Sequence, residues 1–202
     1  MRATTGRSVP YHPQRNWFYC GAASALMVLE SLGATELSQD DLYRQARDNS
    51  LERTLWRSPP DGIAWTLNTN RARDMESRFA IIAADDAESQ ARWLVWCLHR
   101  NRTPPLVLVE ARMHWVVVCA YEASAAPASA NDTSYRIDGF VVNDPWPPEC
   151  VASSPQANRS HGGGTGRPNQ YIAYSTWLEK YAMRVDVGRW KGKYVVISET
   201  AT

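Results

Sequence analysis

Cys20 has the residue type and the setting of a nucleophile. It precedes a stretch from Gly21 to Leu32 whose apolar residues recur at helical spacing, with Gly33 as the expected C-cap. A cysteine at a helix N-terminus is favoured as the thiolate, its reactive form, by the helix dipole and by unpaired backbone amides. The alternative interpretation is a helix-start cysteine that only packs.

Gln14 lies six residues before Cys20, and its side-chain amide is suited to stabilising a developing oxyanion. It would act together with the backbone N–H of Cys20, and losing one such donor costs roughly 3 kcal/mol of transition-state stabilisation. Without Cys20, a solvated loop residue would be the simpler interpretation. We therefore expect Gln14 to be an oxyanion donor only in combination with the thiol.

His114 is the histidine best placed to serve as the general base. It opens the run His-Trp-Val-Val-Val-Cys-Ala-Tyr, a predicted strand that would fix the direction of its ring. The other histidines fit poorly: His12 lies in a proline-flanked extension, His99 ends an amphipathic helix and His161 adjoins a glycine tract. A strand histidine with a purely structural role is the alternative.

Asp144 is the candidate for the third group, which would hydrogen-bond the far ring nitrogen of the histidine and set its tautomer. It follows the apolar run from Phe140 to Asn143, and Pro145 stops the predicted strand, so the carboxylate would sit at a fixed edge. Asn143 and Asp138 are the possible substitutes, and an Asp-Pro dipeptide that only caps a turn is the alternative.

Three segments resemble the signature segments of the papain-like cysteine peptidase clan: Gln14 to Ser24, His114 to Val118, and Val142 to Trp146. Within the clan, they are most similar to the bacterial family related to bacteriocin leader peptidases. The similarity lies in the Gln-x5-Cys-Gly spacing, in the order Cys, His, Asp, and in the Asp-Pro ending. It covers most of the chain between Val9 and Trp146.

The resemblance implies an acyl-enzyme mechanism, in which Cys20 attacks an amide carbonyl, His114 is the base and Asp144 orients it. Gln14 is carried over as the oxyanion donor. Hydrolysis of a peptide bond is the expected reaction, as in a bacterial effector or a processing protease. The alternatives are an amide hydrolase or acyltransferase acting on a small-peptide or non-protein amide, and a papain-like binding domain that has lost catalysis.

Aromatic side chains beside these residues predict a groove for an extended peptide or protein substrate. Trp17 and Tyr19 precede the nucleophile, whereas Trp115 and Trp146 follow the histidine and the aspartate. The alternative for each is an ordinary core aromatic. The glycine tract Gly162–Gly166 belongs either to a flap over this groove or to a plain surface loop.

Helices are predicted for the first half of the chain and strands for the second. Besides the helix after Cys20, a helix is expected at Ser38–Arg47, where Asp41 is the capping-box partner of Ser38. Further helices are expected at Ile63–Leu67, from Asp85 or Asp86 to about His99, and at Ser175–Met183. The predicted strands are Leu106–Glu110, His114–Tyr121, Phe140–Asn143, Tyr171–Tyr174 and Tyr194–Ser198.

This order of elements predicts a single α+β domain over residues 1–202. Its expected architecture is papain-like, with an N-terminal helical half packed on one side of a C-terminal antiparallel β-sheet half. Two polar stretches, 123–133 and 153–168, are predicted surface loops, and residues 1–8 are predicted to be flexible.

The composition argues against several classes of function. With 22 basic and 21 acidic residues, the chain lacks the charge of a nucleic-acid or membrane-surface binder. No apolar run approaches the roughly eighteen residues that span a bilayer. Four cysteines without C-x-x-C spacing predict neither a metal site nor a disulfide framework, and we expect no cofactor.

The N-terminus lacks a signal-like apolar stretch, which predicts a cytoplasmic protein or delivery by a non-classical secretion system. The sequence does not indicate an oligomeric state.

Overall fold

The N-terminal part of the chain is mainly helical. The computed structural model describes residues 2–4, 8–72, 77–101, 103–110, 114–146 and 166–200. Its longer helices are α1 (Cys20–Ser31), α2 (Gln39–Asp48), α3 (Pro60–Asn70) and α4 (Ala87–Asn101). Further along, the short helix Tyr174–Thr176 continues into a π-helical turn, Trp177–Tyr181, and a 3-10 turn follows at Gly188–Trp190.

Local signals set the starts of α2 and α3. Ser38 caps α2, because its hydroxyl oxygen accepts a hydrogen bond from the backbone N–H of Asp41 at 3.1 Å, as the sequence predicted. Helix α3 begins at Pro60, three residues earlier than expected, since proline has no N–H to lose and suits a first helical turn. A Cβ added to Gly62 would lie 1.8 Å from the carbonyl oxygen of Ala46, so α2 and α3 cross in close contact.

The described strands form one antiparallel sheet. Its strands are β1 (Arg2–Thr4), β2 (Arg78–Ala84), β3 (Leu106–Val109), β4 (His114–Ala123), β5 (Ile137–Asn143), β6 (Gln170–Ala173) and β7 (Tyr194–Thr200). They are ordered β2-β7-β3-β4-β5-β6, with β1 paired to β4. The predicted α+β class, with helices largely N-terminal to the sheet, is confirmed.

Two details of the prediction were wrong. Residues Arg2–Thr4 pair with Ala120–Glu122 of β4, so this part of the N-terminus is a strand and not a flexible start. Helices also pack on both faces of the sheet, and not on one side only. Residues of α4 share a core with Val107 and Val116, whereas residues of α1 share a separate core with Leu106 and Val117.

Strands β4 and β5 are joined by a hairpin and carry a register irregularity. Val118 pairs with Val142 and Ala120 pairs with Val141, so that Cys119 is an extra residue in β4. The hairpin tip closes with a hydrogen bond from the N–H of Ser124 to the carbonyl of Arg136 at 2.9 Å. The ends of β4 and β5 opposite this tip carry the candidate site.

Candidate active site

Cys20 is the first residue of α1 and is 6% exposed. No hydrogen bond from the Tyr19 side chain caps the helix, and its first turn contains no acidic residue. The backbone N–H groups of this turn and the positive end of the helix dipole therefore lie beside the sulfur. The first turn therefore offers hydrogen-bond donors to an anion that forms at this end of the helix.

Gly21 lets the loop before α3 approach the nucleophile closely. A Cβ at this position would lie 2.6 Å from the Cβ of Ser58 and 2.9 Å from the Cδ1 of Ile63. Ser58 is held in place, because its hydroxyl donates to the carbonyl of Phe18 and its own carbonyl accepts from the indole N–H of Trp115. The glycine after Cys20 is thus explained by its close packing against Ser58 and Ile63.

His114 begins β4 and is 1% exposed. Its Nε2 lies 2.7 Å from Oδ1 of Asp144. The Cys20 side chain lies close enough to the same ring to contribute to raising the pKa of the imidazole. The structure therefore brings together the three residues predicted as a triad.

The surroundings of His114 favour its charged form. Burial acts to lower the pKa of the imidazole, but the charge and hydrogen bond of Asp144, with a smaller contribution from Cys20, raise it well above 6.5. The folded protein therefore holds a proton on this ring more readily than a free imidazole does.

Asp144 is fixed through both its backbone and its carboxylate. The hydroxyl of Tyr11 donates to its carbonyl at 2.9 Å, and its N–H donates to the carbonyl of Arg167 at 3.2 Å. The Oδ1 atom that faces the histidine also accepts from the N–H of Trp146 at 3.0 Å. A Cβ on Gly166 would lie 2.6 Å from this oxygen, so glycine allows the chain to pass directly over the carboxylate.

The residues considered as substitutes have other partners. Asn143 is buried and accepts a hydrogen bond from the N–H of Asn169, while Asp138 pairs with Arg136 on the way to the hairpin tip. His12 pairs with Glu30 at 2.6 Å, and His99 contacts Tyr121. His161 lies outside the described residues, as does the glycine tract up to residue 165.

Gln14 reaches the site from the segment before α1. Its backbone N–H donates to the carbonyl of Pro145, the residue after Asp144, at 2.8 Å. The side chain is 2% exposed, and its Nε2 donates to the carbonyl of Asn16 at 2.8 Å. The side-chain amide therefore helps to order the loop before Cys20.

The aromatic groove is only partly supported, and two of its members were assigned wrongly. Trp115 is 1% exposed and belongs to the core under α1, while Trp146 is 1% exposed and packs edge-on against the ring of His114 at 6.0 Å. The ring of Tyr19 stacks on Tyr43, and its hydroxyl donates to Asp40. Trp17 remains accessible at 46%.

The described residues contain no group of three metal-ligating side chains close enough to hold an ion. Nor does any helix in the described ranges have the length and apolarity needed to cross a membrane.

The chain is similar to known proteins in sequence and in fold. A sequence profile of the Peptidase C39 like family matches residues 7–157, more than half of the chain. Among solved structures, the fold is similar to that of a double glycine motif protease from an AMS/PCAT transporter, determined in complex with the leader peptide. The TM-score is 0.52 at 13% identity, covering 99% of each chain. No curated protein matches the chain in sequence.

Proposed function

Because the chain belongs to the Peptidase C39 like family, we propose that it is a cysteine peptidase with a triad of Cys20, His114 and Asp144. The observation that carries this proposal is the 2.7 Å contact from His114 Nε2 to Asp144 Oδ1, with Cys20 close to the same ring at the start of α1. A nucleophile, a base and an orienting group in this arrangement suit acyl transfer.

The proposed reaction begins when His114 accepts the proton of the Cys20 thiol and the sulfur attacks a peptide carbonyl carbon. The resulting oxyanion accepts hydrogen bonds from the backbone N–H of Cys20 and from the side-chain amide of Gln14. His114 then gives its proton to the leaving amine, and the C–N bond breaks to form a thioester. Water, deprotonated by the now neutral His114, releases the acyl group and restores the thiol.

An extended peptide is the proposed substrate class. Trp17, three residues before the nucleophile, offers an accessible aromatic face next to the site, and the guanidinium of Arg57 lies 5.4 Å from its ring centre. The structurally similar protease was solved with a leader peptide, which favours the same class of ligand here. A processing role is consistent with this choice of substrate.

Selective alkylation tests the proposed nucleophile. Burial raises the pKa of Cys97 to about 11 and that of Cys119 to about 12, so neither thiol should react at neutral pH. A Cys150→Ser background removes the remaining cysteine. Iodoacetamide should then label one site rapidly, with loss of labelling in Cys20→Ala and a much slower rate in His114→Ala. An unreactive Cys20 in the folded protein would overturn the proposal.

Product analysis distinguishes peptidase activity from its alternatives. Mass spectrometry of a peptide library treated with the protein should show new amino termini that are absent after treatment with Cys20→Ala. Amine adducts without new termini would instead indicate an acyltransferase. An alkylatable Cys20 that gives no product from any peptide would favour a binding domain over an enzyme.

A further inference from the structure

Gln39 is a buried polar residue outside the proposed triad. It is the first residue of α2 and is 5% exposed. Its side-chain carbonyl accepts a hydrogen bond from the backbone N–H of Arg15 at 3.0 Å, and its side-chain nitrogen donates to the carbonyl of Pro13 at 2.9 Å. One amide thus binds the backbone on both sides of Gln14.

The segment around Gln14 is held from the opposite direction by the sheet. The N–H of Gln14 donates to the carbonyl of Pro145, which directly follows Asp144. Hydrogen bonds to the first turn of α2 and to the residue after Asp144 therefore hold the backbone on either side of the proposed oxyanion donor. On the helical side, Gln39 binds the backbone of this segment, whereas Asp40 of the same helix pairs with the side chain of Arg15 at 3.0 Å.

We propose that Gln39 is a positioning residue, which sets the place of the Gln14 amide relative to the reacting carbonyl. This inference rests on the proposed function, because it assumes that an oxyanion forms beside Cys20. An apolar residue at position 39 would leave the Arg15 N–H and the Pro13 carbonyl without these bonds, and the backbone between them would shift. Shifts of about 1 Å in a catalytic group are enough to slow a reaction strongly.

Two reagents separate this role from a general structural one. With the p-nitrophenyl ester of an N-acylglycine, the Cys20 sulfur bonds to the carbonyl carbon, an oxyanion forms, and p-nitrophenolate leaves with its electron pair. With iodoacetamide, the same sulfur displaces iodide and no oxyanion forms. Both rates are measured at neutral pH in the Cys150→Ser background, with Cys20→Ala as the blank.

Replacing Gln39 with leucine keeps the volume of the side chain and removes both hydrogen bonds. Gln39→Leu should slow acylation by the ester about tenfold or more, since an oxyanion donor is misplaced. The rate of alkylation should stay within about twofold of the parent. Combining Gln39→Leu with Gln14→Ala should slow acylation no further than Gln14→Ala alone, because both changes affect one donor.

Gln45→Leu is the matched control. Gln45 is on the same helix, but its side chain accepts from Asn70 of α3 at 2.6 Å and does not contact the segment before α1. Both rates should be unchanged in this variant. If Gln39→Leu fails to fold, Gln39→Glu is used in its place, since it keeps the acceptor for Arg15 and loses the donor to Pro13.

The outcomes are distinct from those that test the triad. An equal fall in acylation and alkylation would overturn the positioning role, as would unchanged acylation in a folded Gln39 variant. Additive effects of the Gln14 and Gln39 changes would do the same. If the parent protein itself reacts with neither reagent at Cys20, the proposed function fails before the question of Gln39 arises.

Discussion

At the level of single residues, His114 depends on its neighbours more than any other side chain of the site. The unfolded chain offers it only water, whereas the folded protein places Asp144 at 2.7 Å and the Cys20 side chain near the ring. Burial of the imidazole lowers its pKa, but the two partners together raise the pKa by more. The protonation of one residue is therefore coupled to the stability of the whole fold.

Stability should consequently fall as the pH rises above neutrality. Because the pKa of His114 is raised in the folded state, its contribution is complete below about pH 6.5 and is lost as the pH rises through the folded-state pKa. Urea unfolding at a series of pH values should show this decline in the free energy of unfolding. The decline should be shallower in His114→Gln, and an identical slope in both proteins would contradict the expectation.

Gly166 should control the same titration indirectly. A Cβ at this position would lie 2.3 Å from the backbone oxygen of Asp144 and 2.6 Å from its Oδ1, so Gly166→Ala should move the carboxylate away from His114. The His114 ring signals in an NMR titration should then change at lower pH, and the acylation rate should fall by about tenfold. Pro168→Ala, at an exposed neighbouring position, should leave both properties as they are.

At the level of elements, the candidate site depends on how closely α1, α2 and α3 approach one another. Gly62 of α3 faces the backbone of α2, and Gly21 of α1 faces Ser58 in the loop before α3. Each glycine marks a place where a methyl group has no room. The positions of Cys20 and Gln39 are therefore set by backbone contacts between helices as well as by side-chain packing.

Gly62→Ala should test this arrangement. The added Cβ meets the carbonyl oxygen of Ala46 at 1.8 Å, and a backbone atom cannot turn aside as a side chain can. We expect the free energy of unfolding to fall by about 1–3 kcal/mol or more in urea denaturation. Thr69→Ala, on an exposed position of the same helix, should change it by less than about 0.5 kcal/mol. Equal effects would indicate that the crossing adjusts freely.

Local signals in the sequence were enough to predict the position of α1, α2 and β4. The small residues after Cys20, the Ser38 cap and the valine-rich run after His114 predict α1, α2 and β4 to within about two residues. Asp144 was also predicted from the proline that follows it. In each case the deciding interactions are close in the chain, or follow from a residue type that admits few conformations.

Features that depend on distant partners were missed. Strand β2 is defined by its pairing with β7, more than a hundred residues away, and no turn signal marks its run of Phe, Ala and Ile. Trp115 looked like a groove residue because it adjoins His114, but neighbours along a strand face opposite sides. Trp146 follows Asp144 closely, but it is buried against the ring of His114. Gln39 carried no signal, since its partners lie on another segment.

At the level of the whole molecule, the sheet separates two cores. One lies under α1, α2 and α3 and includes the residues beside Cys20, whereas the other lies under α4 and the turn at Trp177–Tyr181. The site is formed on the first of these layers and at one end of the sheet. Damage to the second core should therefore affect stability more than chemistry.

Leu94→Ala provides the corresponding test. Leu94 is fully buried in the α4 core, so the cavity should lower the free energy of unfolding by about 2–5 kcal/mol. Under conditions where the variant remains folded, the rates of alkylation and acylation at Cys20 should match those of the parent. Leu178→Ala, at a position that is 40% exposed, should be nearly neutral for stability. A large loss of Cys20 reactivity in folded Leu94→Ala would show that the two layers are coupled.

The hairpin of β4 and β5 has a practical consequence. His114 begins β4 and Ala123 ends it, so ten residues at about 3.3 Å each separate the site from the hairpin tip by about 30 Å. An exposed tip position such as Ser129 can carry a tether without crowding the nucleophile. Molecules attached to a surface through this tip would all present the thiol outward, which allows turnover to be followed on single immobilised copies.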